Sequence, residues 1–105
     1  MALMQISIIP MGTSTPSVGE FIADVQAFLL ENDCTFELND MGTVIYGPPE
    51  NLFLVAAKIH GLPFEKGAQR VVTNITVDDW RGRDRHPGDK KNSVFNILLE
   101  RNNER

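Results

Sequence analysis

Thr35-Phe36-Glu37-Leu38-Asn39-Asp40-Met41-Gly42-Thr43-Val44-Ile45-Tyr46-Gly47 alternates apolar and polar residues on both sides of a polar, glycine-containing turn, which is the pattern of a β-hairpin. Taking Thr35–Leu38 and Thr43–Tyr46 as the strands leaves a four-residue loop. That loop sets Leu38 opposite Thr43, Glu37 opposite Val44, Phe36 opposite Ile45 and Thr35 opposite Tyr46, so each face is consistent across the pair. Phe36, Leu38 and Ile45 then point inward, and Glu37, Val44 and Tyr46 point to the other face.

On each side of the hairpin lies one helix and, beyond it, one strand. Upstream, Ser17 and Glu20 have the spacing of a capping box. Val18, Phe21, Ile22, Val25, Phe28 and Leu29 follow as an apolar stripe at helical spacing, ended by Asn32 and Asp33. Before that helix, Met4, Ile6 and Ile8 alternate with Gln5, Ser7 and Ile9 as a half-buried strand, which Pro10 is expected to stop. Gly12, Thr13, Ser14, Thr15 and Pro16 form a turn rich in hydroxyls and free backbone donors, suited to a polar ligand or to nothing more than a connection.

Downstream, Pro48, Pro49 and Glu50 open a second helix whose stripe is Leu52, Val55, Ala56 and Ile59. Gly61 and Pro63 are expected to end or kink it, with a further turn at Phe64 packing down before Gly67. Arg70 to Asp78 is the fourth strand, with Val71, Thr73, Ile75 and Val77 toward the helices and Val72, Asn74, Thr76 and Asp78 on the mixed face. Arg81 to Lys91 is a charged loop. A last helix starts at Asn92 or Ser93 and uses Val94, Phe95, Leu98 and Leu99, with Asn102 to Arg105 frayed.

The order strand, helix, strand, strand, helix, strand and C-terminal helix is the βαββαβ pattern of an α+β, ferredoxin-like sandwich. It predicts a four-stranded antiparallel sheet with helices on one face, built from residues 1–105 as a single domain. The other face would show Gln5, Ser7, Ile9, Glu37, Val44, Tyr46, Val72, Asn74, Thr76 and Asp78. A bare face carrying aliphatic side chains and a tyrosine is seldom left wet, and a second copy of the chain is the simplest cover.

Composition narrows the function. A chain of 105 residues with 42% apolar and 23% charged residues has the makeup of a soluble globular domain, and the N-terminus has no secretory pattern, so the cytoplasm is expected. Cys34 is the only cysteine, which excludes an internal disulfide and points to a small buried apolar side chain. The net charge of -4 argues against nucleic acid as a partner. RNA-binding sheets stack bases on central aromatic residues, whereas this face offers aliphatic and small polar groups. The basic run Arg81, Arg83, Arg85, His86, Lys90 and Lys91 is broken by Asp84 and Asp89, as in a solvated loop. His60 and His86 have no partner at ligand spacing, so no metal site is expected. Asp78 and Asp79 point oppositely along a strand end and are expected to anchor Arg81 or Arg83, not to act as an acid and base pair. No catalytic motif is present, so the chain reads as a non-enzyme.

Three segments, Ile9 to Thr13, Met41 to Thr43, and Arg70 and Val71 through Asp78 and Asp79, occur in an order and spacing that resemble the small thiamine-binding-protein family. The resemblance spans roughly residues 4 to 99. It implies a cytoplasmic homo-oligomer, often a tetramer built from dimers, that binds thiamine or its hydroxymethylpyrimidine part and has no established catalytic activity. The chain departs from the family pattern at Tyr46, where members carry a glutamate before glycine, and at Trp80, which separates the paired aspartates from Arg81. It is a divergent member by that comparison.

Thiamine joins a flat aminopyrimidine, which needs paired hydrogen-bond donors and acceptors, to a cationic ring that favours carboxylates and aromatic faces. The expected ligand contacts are Tyr46 for stacking, Glu37 for charge, and Thr13, Thr43, Asn74 and Thr76 for polar contacts, with no cofactor beyond the ligand. Each has a plainer explanation: Tyr46 and Val44 as interface filling, Glu37 and Asn74 as partners of each other or of a neighbouring subunit. The alternative function is a ligand-free structural or regulatory oligomer.

Overall fold

The computed structural model describes residues 1–12 and 18–103. Its elements are β1 (Ala2–Met11), α1 (Val18–Glu31), β2 (Thr35–Asn39), β3 (Gly42–Gly47), α2 (Pro49–Glu65), β4 (Arg70–Asp78) and α3 (Asp89–Asn103). The strands form one antiparallel sheet in the order β2-β3-β1-β4, the ferredoxin-like α+β arrangement. The Ser17 cap and the Thr13 turn lie outside the described residues.

Alternation along β1 and β3 places Ala2, Met4, Ile6 and Ile45 under the helices, where they pack with Val25 and Leu29 of α1 and Leu52, Ala56 and Ile59 of α2. Cys34 and Phe36 are partly buried against this core, and burial together with the neighbouring Asp33 carboxylate pushes the Cys34 thiol above its ordinary value of 9.0. The hairpin pairs Leu38 with Thr43, Glu37 with Val44, Phe36 with Ile45 and Thr35 with Tyr46, the register expected from the loop. One further pair, Asn39 with Gly42, tightens the turn to Asp40-Met41. Gly42 is required there, because a Cβ would stand 2.9 Å from the backbone oxygen of Ile6 on β1.

Besides the tighter hairpin turn and the end of α3, which stays helical through Asn103 where fraying from Asn102 is expected, three boundaries differ from the sequence expectation. Pro10 does not stop β1. The Gln69 N–H donates to the Met11 carbonyl at 3.0 Å on the β4 side, so the adjacent Pro10 nitrogen faces the other side, where pairing with β3 has ended at Ile6 and Thr43. No ladder hydrogen bond is lost.

Nor do Gly61 and Pro63 end α2, which runs to Glu65. Pro63 falls in the last turn with its ring fully buried, so one missing intrahelical bond is offset by packing. The helix then closes in a Schellman cap: Ala68 N–H donates to Pro63 O at 3.1 Å and Gly67 N–H to Phe64 O at 3.2 Å, with Gly67 at φ +93°.

The last helix starts at Asp89, earlier than Asn92 or Ser93, because the Asp89 carboxylate accepts the His86 N–H at 2.9 Å and Asn92 N–H already donates to Gly88 O at 2.8 Å. All of α3 is exposed, Val94, Phe95, Leu98 and Leu99 included.

A candidate ligand cavity between the first helix and the hairpin

The apolar face of α1 turns Phe21, Val25 and Leu29 into the core. Gln26, one turn beyond Ile22, lies at the border of that face. Its Nε2 donates to the Thr43 hydroxyl oxygen at 3.0 Å, while its Oε1 is buried with no hydrogen-bond partner among the described residues. Thr43 is buried because it alternates in phase with Ile45, so its hydroxyl is held on the helix side of the sheet.

Around this pair the α1 side of the sheet leaves a cavity of about 200 Å³. Ile6, Ile8, Val25 and Ile59 supply apolar walls, and the exposed turn residues Asp40 and Met41 border it. With its oxygen already accepting from Gln26, the Thr43 hydroxyl has a hydrogen free to donate. The cavity is therefore bordered by Gln26, whose Oε1 is buried and unpaired, and by the Thr43 O–H donor, with Asn39 and Asp40 adding polar groups at the turn. Polar groups with unused hydrogen-bonding capacity beside a mainly apolar cleft mark a place where a ligand gains hydrogen bonds.

The residues singled out in the sequence divide between the two faces of the sheet. Glu37, Val44, Gln5 and Thr76 form one cross-strand row on the open face. Tyr46 stands in the next row, between Thr35 and Leu3, and Asn74 is opposite Ser7. Glu37 and Asn74 sit on opposite edge strands, three strand spacings or about 14 Å apart, so they do not pair with each other. Burial raises the Tyr46 phenol above 10.0, Glu37 and Asp89 add to the rise, and Arg85 opposes it. Thr43 is on the opposite face, in the cavity, and Thr13 lies outside the described residues. Gln26 was not anticipated. Its signal in the sequence is a polar residue bordering an apolar helical arc, four residues after Ile22.

Two arginines of the charged loop pair with the aspartates at the end of β4. Arg81 Nε is 2.9 Å from Asp79 Oδ2, as expected, and Arg85 Nη2 is 3.1 Å from Asp78 Oδ2. Arg83 stacks over Trp80, its guanidinium carbon 4.3 Å from the ring centre. His60 is engaged by the Thr73 hydroxyl at 2.7 Å and by an edge contact with Phe64. Among the described residues, no group of three or more His, Cys, Asp or Glu side chains is placed to hold a metal ion, and no helix is long and apolar enough to cross a membrane.

The fold recurs in solved structures. The hypothetical protein MJ1052 of Methanocaldococcus jannascii superposes with a TM-score of 0.77 at 22% identity, over 89% of this chain and 94% of that one. A candidate thiamine biosynthesis/salvage protein of Thermotoga maritima, TM0486, gives 0.72 at 16% identity, over 89% and 97%. At these identities the likeness is one of fold. In sequence, a UPF0045 protein encoded 3′ of glkA in Staphylococcus xylosus is 39% identical over 107 residues, covering 98% of this chain and all of that protein. The family model described as thiamine-binding protein matches residues 4–95. The chain thus belongs to the thiamine-binding protein family, of which it is a divergent member.

Proposed function

We propose that this protein binds thiamine or its hydroxymethylpyrimidine moiety without catalysis, as a cytoplasmic homo-oligomer packed through the open sheet face, and that the cavity beneath α1 receives the pyrimidine ring. The observation that carries this reading is the buried Gln26 Oε1 beside the Thr43 hydroxyl. An aminopyrimidine presents an exocyclic amine that donates and a ring nitrogen that accepts, the complement of that pair. Size points the same way. A cavity of about 150 Å³ accommodates benzene, whereas drug-sized ligands occupy about 300–1,000 Å³, so about 200 Å³ suits one substituted six-membered ring and not the whole of thiamine. The remainder of a thiamine molecule would lie toward Asp40, whose carboxylate suits a cationic ring.

On this reading Thr43 contacts the ligand, while Glu37, Tyr46, Asn74 and Thr76 face a second copy. Calorimetric titration with thiamine and with hydroxymethylpyrimidine, paired with light scattering, tests it. The expected result is saturable binding at one site per chain for both compounds. Thr43→Val should weaken it about tenfold, the equivalent of one net hydrogen bond of about 1.4 kcal/mol. Tyr46→Ala should leave affinity unchanged, and a loss there would move the ligand to the open face. No heat with either compound from a folded oligomer would leave the ligand-free structural or regulatory role.

A further inference from the structure

α3 is amphipathic, yet no described residue covers its apolar side. Val94, Phe95, Leu98 and Leu99 fall at helical spacing and are 47–61% exposed. A lone 15-residue helix is marginal in water, because short helices depend on packing of an apolar face. The helix also stands away from the rest of the molecule. The radius of gyration is 16.7 Å and the long axis 58 Å, against a radius of about 13 Å expected for a compact chain of this length. Its root is fixed at one end of the open sheet face, where Arg85 pairs with Asp78 and Asp89 is close enough to Tyr46 to raise its phenol.

We propose that α3 is an exchanged arm: its Val94, Phe95, Leu98 and Leu99 stripe docks across the open sheet face of a second copy of this chain, whose own α3 covers the first in return. This rests on the self-association reading above and names the segment that completes it. The sheet face is uncovered in one copy and carries Leu3, Ile9, Val44, Tyr46 and Val72, so each copy holds both a bare arm and a bare surface for it. A two-fold exchange satisfies both at once and closes.

Area is sufficient for the arm. A helix about 22 Å long and about 10 Å across covers roughly 220 Å² of the sheet it lies on and loses the same from its own surface. Two reciprocal arms together bury about 900 Å², close to the about 1,000 Å² of a specific interface.

The test uses the full chain. Sedimentation equilibrium of the wild type should give at least twice the 11.7 kDa of one copy. Leu98→Glu and, separately, Phe95→Glu should each weaken the association at least tenfold while the core still unfolds cooperatively in urea and the circular dichroism loses no more than the helical signal of α3, since both side chains are exposed in a single copy. Val44→Lys on the sheet face, with Thr76→Lys as a second variant there, should weaken it likewise. If Val44→Lys and Thr76→Lys dissociate the protein while Leu98→Glu and Phe95→Glu do not, the arm is wrong and sheet association stands. A wild type that sediments at 11.7 kDa overturns both. To separate exchange from folding back, chains carrying Cys34→Ser with either Leu98→Cys or Val44→Cys are mixed, a third chain carrying all three substitutions is prepared alone, and both samples are treated with a bismaleimide. A product of doubled mass, containing one chain of each kind, is expected; a link formed only within a chain carrying both cysteines would overturn exchange.

Discussion

Gln26 of α1 and Thr43 of β3, 17 residues apart in sequence, meet at 3.0 Å, and this hydrogen bond ties the first helix to the hairpin at the edge of the cavity. It fixes the amide so that Nε2 is used and Oε1 is left buried. The same bond thus supports the fold and orients an unpaired acceptor beside the cavity.

Removing the threonine hydroxyl should therefore be costly, and more so than removing both partners. Thr43→Val strands both ends of the Gln26 amide and should destabilise by about 1–3 kcal/mol, whereas Thr43→Val with Gln26→Leu should recover most of that loss. Urea unfolding of the two variants checks it. A double mutant that is additive or worse would mean the two residues are not coupled.

Gly42 is set by the backbone of β1. A Cβ there would meet the Ile6 carbonyl oxygen at 2.9 Å, a rigid neighbour that cannot swing aside. Gly42→Ala should cost about 1–3 kcal/mol, the range for overpacking, and should distort the cavity that Gly42 lines. Thermal unfolding and ligand titration of the variant measure both effects.

Asp33 holds φ +54°, and Cys34 N–H donates to Leu29 O at 3.0 Å, so a non-glycine residue fills the left-handed position of the α1 cap. Asp33→Val should lose about 1–2 kcal/mol, while Asp33→Gly should be neutral or stabilising because the Cβ strain disappears. Chemical denaturation that ranks the glycine variant below the valine variant would rule out this account.

Alkaline pH should loosen the fold in two stages. The folded protein raises the Cys34 thiol above 9.0, chiefly by burial and then through Asp33. It also raises the Tyr46 phenol above 10.0, chiefly by burial and then through Glu37 and Asp89. In both cases the native state holds the proton more tightly than the unfolded chain. That stability is fully present below the unfolded values and is lost as pH rises through the folded ones. Melting temperatures should fall from about pH 9 upward. Cys34→Ala should flatten the first part of the decline and Tyr46→Phe the second, and profiles identical to wild type would exclude these groups.

Much of the sheet was legible because it rests on short periods. Phe36 and Ile45 alternate with Glu37 and Val44, and a fixed loop length then leaves one register that keeps both faces consistent. The same alternation along Arg70–Asp78 assigns every residue of β4 to its face. Pro10, Pro63 and Asp89 were read differently because the effect of each depends on distant groups. Pro10 is harmless only because β3 stops short of it. Pro63 is tolerated because its ring finds the core, and Asp89 begins a helix because its carboxylate meets the His86 N–H.

The candidate site was legible in part. That Thr43 points inward follows from its phase with Ile45, but the alternation is silent about what lies above it. Gln26 comes to that position only when α1 packs across the sheet, and the cavity forms only where Ile8, Ile22 and Ile59 from three elements fail to fill the space.

By itself, then, the sequence determined the order of elements, the hairpin register and the two faces of the sheet, since these follow from side-chain periodicity and turn length along a few neighbouring residues. Tertiary structure alone decided that Thr43 shares a cavity with Gln26, that Glu37 and Asn74 stand on opposite edges, and that α3 leaves the core with its apolar stripe bare. Those relationships depend on where elements far apart in the chain come to rest, and packing between them is encoded in no single local pattern.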